Sequence, residues 1–309
     1  MTLINTLAPL FALIAIGFVM VRTGHIAGEA VQPLGALVMR LALPALIFLA
    51  LAGTPPGEAL DIWFLLAYAG GSLAAMALCM ALARWVLGLP WQVAAVVGLG
   101  VSMANSGFMG FPIAQALMGA EPGTVLLAHC MIVENLVVLP LALVLIALAQ
   151  ARDSRETGWD VLAAIPRNPL MLALMAGALV SFSGLTLPSV AQTTLELLAR
   201  ISAPLALLVI GGMLAGLPAG GRAGTVILIV AGKLGLHPLA VWLALSVLPG
   251  VSPVLAVGGV LFAAMPMITI YPLLSARAGH ARLGAVALLV ATLGSFITLP
   301  AIIILLGLA

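Results

Sequence analysis

The sequence predicts an all-α polytopic membrane protein of ten transmembrane helices, arranged as two inverted five-helix repeats with broken fourth and ninth helices. Three observations predict it. The chain is 64% hydrophobic and only 6% charged, with a mean hydropathy of +1.32. A soluble domain carries roughly 25% charged residues, so lipid must be the main solvent of this one. Apolar runs of the length that crosses a bilayer, about 20 residues, recur along the whole chain. The chain also repeats itself without gaps at a spacing of 160 residues, from Gly17 to Gly177.

The spans read as roughly 3–21, 32–52, 62–86, 92–117, 122–149, 161–182, 193–216, 223–248, 252–275 and 282–307. Short loops hold turn residues, such as Thr54-Pro55-Pro56-Gly57, Gly88-Leu89-Pro90, Leu217–Gly221 and Pro249-Gly250. The polar stretch 151–160 divides a first repeat, 1–150, from a second, 161–309. No soluble domain fits between the spans. The first span lacks Lys or Arg before its apolar run, so it does not read as a cleaved signal peptide.

Charge sets the orientation. Arg22, Arg84, Arg152, Arg155, Arg167, Arg222, Arg277 and Arg282 flank the loops after odd-numbered spans. The other loops carry Glu58, Asp61 and Glu121. Lys and Arg concentrate on the cytoplasmic side, so both termini are expected outside. Trp63, Trp85, Trp91 and Trp159 fall near span ends, as interfacial anchors do. Net charge is +2 with no basic run, which points away from nucleic acid.

The repeat is carried by residues whose backbone roles are fixed or whose use is scarce. Gly24 answers Gly184, Gln32 answers Gln192, and Arg40-x-x-x-Pro44 answers Arg200-x-x-x-Pro204. Gly98 answers Gly258, Phe111-Pro112 answers Tyr271-Pro272, and Leu139-Pro140 answers Leu299-Pro300. Each half holds an odd number of spans, so the second must enter the membrane upside down. Inverted halves around a midplane site are an architecture of secondary transporters.

Span four contains Asn105-Ser106-Gly107-Phe108-Met109-Gly110-Phe111-Pro112. Two glycines and a proline so close together will not hold a regular helix. Span nine contains Met265-Pro266-Met267-Ile268-Thr269-Ile270-Tyr271-Pro272 in the matching place. Broken helices at corresponding positions of two repeats point to a binding site, and half-helix N-termini suit an anion. The plain alternative is a pair of packing kinks.

The run Asn105–Pro112, the segment Leu41–Phe48 around Pro44, and Ala263-Ala264-Met265-Pro266 resemble the auxin efflux carrier family, and its bacterial malonate-transporter-like members most. The resemblance covers essentially the full length. It implies a scaffold domain, a transport domain, crossed fourth and ninth helices over the substrate, and an elevator-like motion. It further implies a small organic anion as substrate and the bacterial inner membrane as location. The long loop between the halves of plant members is absent, so regulation through it does not carry over. A homodimer is one assembly open to such a protein.

The expected substrate-binding residues are Asn105, Ser106, Gly107, Gly110, Pro112, Asn135, Pro266, Thr269, Tyr271 and Arg40. Asn135 could bond a carboxylate or brace span four; its structural alternative is a bond to neighbouring backbone. Arg40 could grip a carboxylate with both arms, or reach for the membrane surface. Glu134, Lys233 and His237 are the candidates for proton or sodium coupling, since ionisable groups in the membrane are costly. Lys233 and His237 lie one turn apart and share a face. Cys79 and Cys130, in apolar runs without ligand-spaced neighbours, read as buried packing residues, as do the methionines around the breaks.

No H-E-x-x-H, G-x-S-x-G or acidic metal pair occurs, so neither an enzyme nor a metal or cofactor is expected. A channel would need a ring of like groups around an open path. The expected function is a secondary transporter of a malonate-like carboxylate, working by alternating access. The alternative is an ion-coupled antiporter or a sodium-coupled carrier of another anion on a related crossed-helix scaffold. That alternative favours paired membrane carboxylates, and Glu134 stands alone in that class.

Overall fold

A computed structural model describes residues 3–53, 61–150, 169–216 and 223–308. The expected linker 151–160 lies outside them, as do Thr54–Gly57, Leu217–Gly221 and the charges Glu58, Arg152, Arg155, Arg167 and Arg222. The described residues form helices throughout, joined by short turns. Six helical runs are long and apolar enough to cross a membrane: Gly28–Leu49, Ile62–Val86, Ala120–Ile146, Ser189–Ala215, Ala223–Val247 and Ala281–Leu305. Shorter apolar helices cover Phe11–Arg22, Trp91–Ser102 and Pro253–Ala263. The protein is a multi-pass, all-α membrane protein.

In chain order the first helices are α1 (Leu3–Arg22), α2 (Gly28–Leu37), α3 (Leu43–Ala52), α4 (Ile62–Ala81) and α5 (Trp91–Ser102). Next come α6 (Phe111–Met118), α7 (Ala120–Val133), α8 (Leu139–Gln150), α9 (Pro169–Ser183) and α10 (Ser189–Ala215). The last are α11 (Ala223–Ala231), α12 (His237–Val247), α13 (Pro253–Ala263), α14 (Tyr271–Arg277) and α15 (Ala281–Leu305). Large apolar side chains stay exposed along many of them, including Val190, Val247, Ile297 and Leu305. In lipid such a surface carries no hydrophobic penalty.

Helices of one span are often joined by a wider π turn rather than by a loop. Val38–Ala42, Ser106–Gly110, Glu134–Val138 and Gly232–Leu236 are such turns. Each ends two residues before a proline: Pro44, Pro112, Pro140 and Pro238. The cause is steric. A proline ring collides with the carbonyl four residues back and offers it no N–H. In each turn the residue just before the proline instead donates to the carbonyl five back, as Leu139 does to Glu134. Pro204 and Pro300, by contrast, sit inside uninterrupted helices.

Close helix contacts depend on missing side chains. A Cβ on Gly17 would stand 2.1 Å from the Leu208 carbonyl oxygen, and one on Gly211 would stand 1.9 Å from that of Ile14. Thus α1 and α10 meet backbone to backbone, each supplying a glycine to the other. Small residues at helix interfaces are how membrane helices gain van der Waals contact where lipid supplies no hydrophobic drive. A second packed group joins α4, α5, α12 and α13, with Phe64 and Tyr68 fully buried among them.

Candidate functional site

The two interrupted spans meet at their interruptions. Span four leaves the helical path after Ser102 and resumes at Ser106; span nine leaves it after Ala263 and resumes at Tyr271. Ala104 pairs with Met267 as an isolated antiparallel bridge. The Asn105 amide donates to the Pro266 carbonyl at 2.8 Å. Backbone freed from a helix in an apolar interior must find a partner. Here each break supplies the other's. Tyr271 adds a third tie: its hydroxyl donates to the Val96 carbonyl at 3.0 Å and its ring packs where Gly100 has no side chain.

Beyond the break, the first amides of the resumed half-helix point back without acceptors in a preceding turn. Met109 and Gly110 both donate to the Asn105 carbonyl, while Ser106, Gly107 and Phe108 open the turn. The Asn105 side chain is 2% exposed, and its Nδ2 has no hydrogen-bond partner. A buried unpaired donor costs about 1–3 kcal/mol, which makes it a place for a missing acceptor. Gly107 and Gly110 let this turn press against Leu43 and the Phe262 ring. Thr269 is buried in the facing break, 5% exposed.

Glu134 begins the π turn before Pro140 and is fully buried. Its Oε1 accepts from the Ser106 hydroxyl at 2.6 Å and from the Tyr68 hydroxyl at 3.0 Å. Its Oε2 has no partner. The carboxyl therefore stands beside the N-terminal end of the half-helix that opens at Ser106, the end that carries partial positive charge.

Lys233 lies in the π turn before Pro238 and is also fully buried. Its Nζ donates to the Ala263 carbonyl at 3.1 Å and stands 2.6 Å from His237 Nδ1. Ala263 is the last residue of α13, so the ammonium covers a negative helix end. His237 Nε2 lies 2.9 Å from the Ser72 hydroxyl. With Lys233 as donor to Nδ1, the ring proton sits on Nε2 and donates to Ser72. Lys233 and Glu134 lie within electrostatic reach of each other.

Residues 2–303 match a family described as membrane transport protein. The chain belongs to this family, that of the auxin efflux carriers. It is also 29% identical over 263 residues to a Rhizobium meliloti (strain 1021) protein described as a "putative malonate transporter", covering 84% of this chain and 82% of that one. The protein is accordingly a membrane transporter.

The transporter gathers most, not all, of the residues singled out from its sequence. Asn105, Ser106, Gly107, Gly110, Pro112, Pro266, Thr269 and Tyr271 belong to the meeting breaks; Glu134, Lys233 and His237 form the polar cluster beneath them. Asn135 is buried, but its Nδ2 donates to the Met131 carbonyl at 2.9 Å, one turn back on its own helix. Arg40 lies exposed on the π turn Val38–Ala42, without a bond to this cluster. Tyr68 and Ser72 were not singled out. Their spacing of four on α4 puts them on one face, and Tyr68 is one of only two tyrosines in the transporter. His129 accepts the Asp61 amide at 2.9 Å through Nε2 and donates from Nδ1 to the Val125 carbonyl at 2.8 Å. It thereby ties the start of α4 to α7.

Proposed function

We propose that the protein is a secondary transporter of a small organic anion, a malonate-like carboxylate, moved by elevator-type alternating access. Ten spans in two inverted repeats would build it, 1–150 and 161–309, with the fourth and ninth crossing over the substrate. The observation that carries this reading is the unpartnered Asn105 Nδ2 beside the open amides of Ser106, Gly107 and Phe108. A carboxylate is acceptor-only and needs several donors once stripped of water. The malonate-transporter relative supports the substrate class.

Glu134 is the coupling group in this reading. An ionised carboxylate there repels a bound substrate carboxylate, so a proton on Glu134 accompanies the anion. The Lys233 ammonium balances the charge when that proton leaves. The body carrying the breaks would slide against the frame built on α1 and α10, with Leu43 of α3 on the frame side and Gly107 on the other. Both termini would lie outside the bacterial inner membrane.

The test is uptake of radiolabelled malonate, acetate and indole acetate by purified protein in liposomes, under imposed pH, sodium and voltage gradients. Saturable uptake of a carboxylate is the expected result. No uptake under any gradient would overturn the reading. Asn105→Ala tests the site: it breaks no side-chain donor bond within the protein, so folding should survive while substrate-induced thermal stabilisation disappears. Unchanged stabilisation by substrate would place the site elsewhere.

A further inference from the structure

The coupling cluster makes no use of His129, yet this ring is 1% exposed and bonded at both nitrogens. It stands on α7 and holds the residue that opens α4. We infer that His129 is a positioning residue: a pH-sensitive latch that fixes the start of α4 and, through Phe64 and Tyr68, sets the hydroxyl that holds Glu134. The link to Glu134 rests on the coupling role proposed above; the latch itself does not.

The protonation state of the ring follows from its partners. A backbone amide can only donate and a backbone carbonyl can only accept. The Asp61 amide at 2.9 Å therefore needs a bare Nε2, and the Val125 carbonyl at 2.8 Å needs a proton on Nδ1. The latched ring is neutral. A second proton must go to Nε2, where it meets the very N–H that the nitrogen now accepts. Two donors then face each other.

Asp61 supplies the alternative arrangement. Its Oδ1 caps α4 by accepting the Phe64 amide at 2.9 Å. Its carboxylate also lies within electrostatic reach of the His129 ring. A protonated His129 attracts that carboxylate while repelling the amide beside it. Cap and ion pair compete for one side chain, so the first turn of α4 has two states. Against α7, α4 also brings Tyr68, and the span's own ionisable groups are Glu121, Cys130 and Glu134. The neighbouring α3, α6, α13 and turn Ser106–Gly110 bring none. Asp61 is the charge that acts on the ring. It is half-buried and followed by exposed Ile62 and Trp63, so protons reach the latch from that end of the span.

One stripe of α4 carries the effect inward. Asp61, Phe64, Tyr68 and Ser72 recur at helical spacing. Phe64 meets the His129 ring edge to face with centroids 5.4 Å apart, and stacks on Tyr68 at 5.7 Å. Tyr68 donates to Glu134, and Ser72 contacts His237. Phe64 and Tyr68 are fully buried, so close packing passes on a shift of the first turn instead of absorbing it. The latched state binds one proton fewer than the open state. It therefore gains as pH rises, and weakens as pH falls through the ordinary histidine range, about 6.5.

The test unfolds the full-length protein thermally in detergent between about pH 5 and 8. His129→Gln offers an oxygen to the Asp61 amide and cannot titrate; His129→Leu offers nothing. At the alkaline end His129→Leu should unfold about 2–4 °C below the wild type, with His129→Gln between them. Toward the acid end the wild type should lose its advantage over His129→Leu, while His129→Gln keeps its own. A wild-type advantage that does not change with pH overturns the latch. Should neither variant fold, the wild-type histidine 15N spectrum decides: a ring protonated on Nδ1 and bare on Nε2 is expected above the histidine range, and its absence overturns the latch. Exchange of labelled malonate in liposomes, with equal pH on both sides, reads the link to Glu134. The ratio of His129→Gln to wild-type exchange should rise about twofold or more on acidification, as for a latch half open; a constant ratio overturns the link. No exchange at all would count against the transport reading, and the unfolding profiles would still decide the latch.

Discussion

Glu134 and Lys233 stand at helix ends of opposite polarity. The carboxyl bonds Ser106 at the N-terminal end of one half-helix, and the ammonium bonds Ala263 at the C-terminal end of another. Each buried charge thus faces an opposite partial charge of the backbone. Tyr68 and Ser72, one turn apart on α4, fasten the two arrangements together by holding Glu134 and His237 respectively.

Replacing the lysine separates these contributions. Lys233→Met should lower thermal stability, because Ala263 loses its donor and Glu134 loses its balancing charge. The double variant Glu134→Gln/Lys233→Met should be more stable than Lys233→Met alone. A double-mutant cycle should return a coupling of about 1 kcal/mol or more. Simple additivity of the two changes would mean that the charges do not sense each other.

Glu134→Gln keeps an oxygen for Tyr68 and Ser106 but cannot exchange a proton. In liposomes, pH-driven uptake should fall by at least about tenfold. Exchange of external for internal labelled substrate should persist, since it needs no net proton movement. Equal loss of both activities would assign Glu134 to binding or folding instead of coupling.

Tyr271→Phe removes the tie from span nine to Val96 in α5. A neutral hydrogen bond of this kind contributes about 0.5–1.5 kcal/mol. Substrate affinity should change little, while the rate of transport should change more, because the two breaks would no longer be held in register from both sides. Separate measurement of binding by calorimetry and of flux in liposomes checks this.

Gly211→Val should be severe. The added Cβ would meet the Ile14 carbonyl oxygen at 1.9 Å, and a backbone atom cannot swing aside as a side chain can. The cost is expected near 3 kcal/mol, visible as lost yield or early unfolding in detergent. Gly70→Ala, with nothing within 4 Å of its Cβ, is the matched control and should be silent.

Much of the candidate site was legible because membrane sequences are poor in polar residues. Glu134, Lys233 and His237 stand out against an apolar background, and the two broken spans announce themselves through Pro112 and Pro266. Tyr68 and Ser72 did not stand out. A tyrosine and a serine in an apolar helix have no diagnostic spacing to a partner on another helix, and their roles arise only when α4 packs beside α7 and α12. Arg40 is the opposite case, legible in the repeat yet apart from the polar cluster. Its distance from Pro44 is repeated at Arg200 and Pro204, yet its side chain turns outward from a π turn. Pairing at the breaks is likewise tertiary: nothing in either span alone says that Asn105 meets Pro266.

The proline-linked π turns have a consequence for how this chain can change over generations. A π turn is a helix holding one surplus residue, and one residue is a rotation of about 100°. Upstream and downstream halves of these spans are therefore out of phase. In the turn after α7, Glu134 and Asn135 face inward while Leu136 and Val137 face outward. Deleting a single residue there would not merely shorten the helix. It would re-index every side chain beyond it, and it would return the Pro140 ring to a carbonyl it now avoids. At these four turns proline and surplus residue act together, so losing either one alone would reset the phase of the span, whereas Pro204 and Pro300 sit in helices that carry no surplus residue.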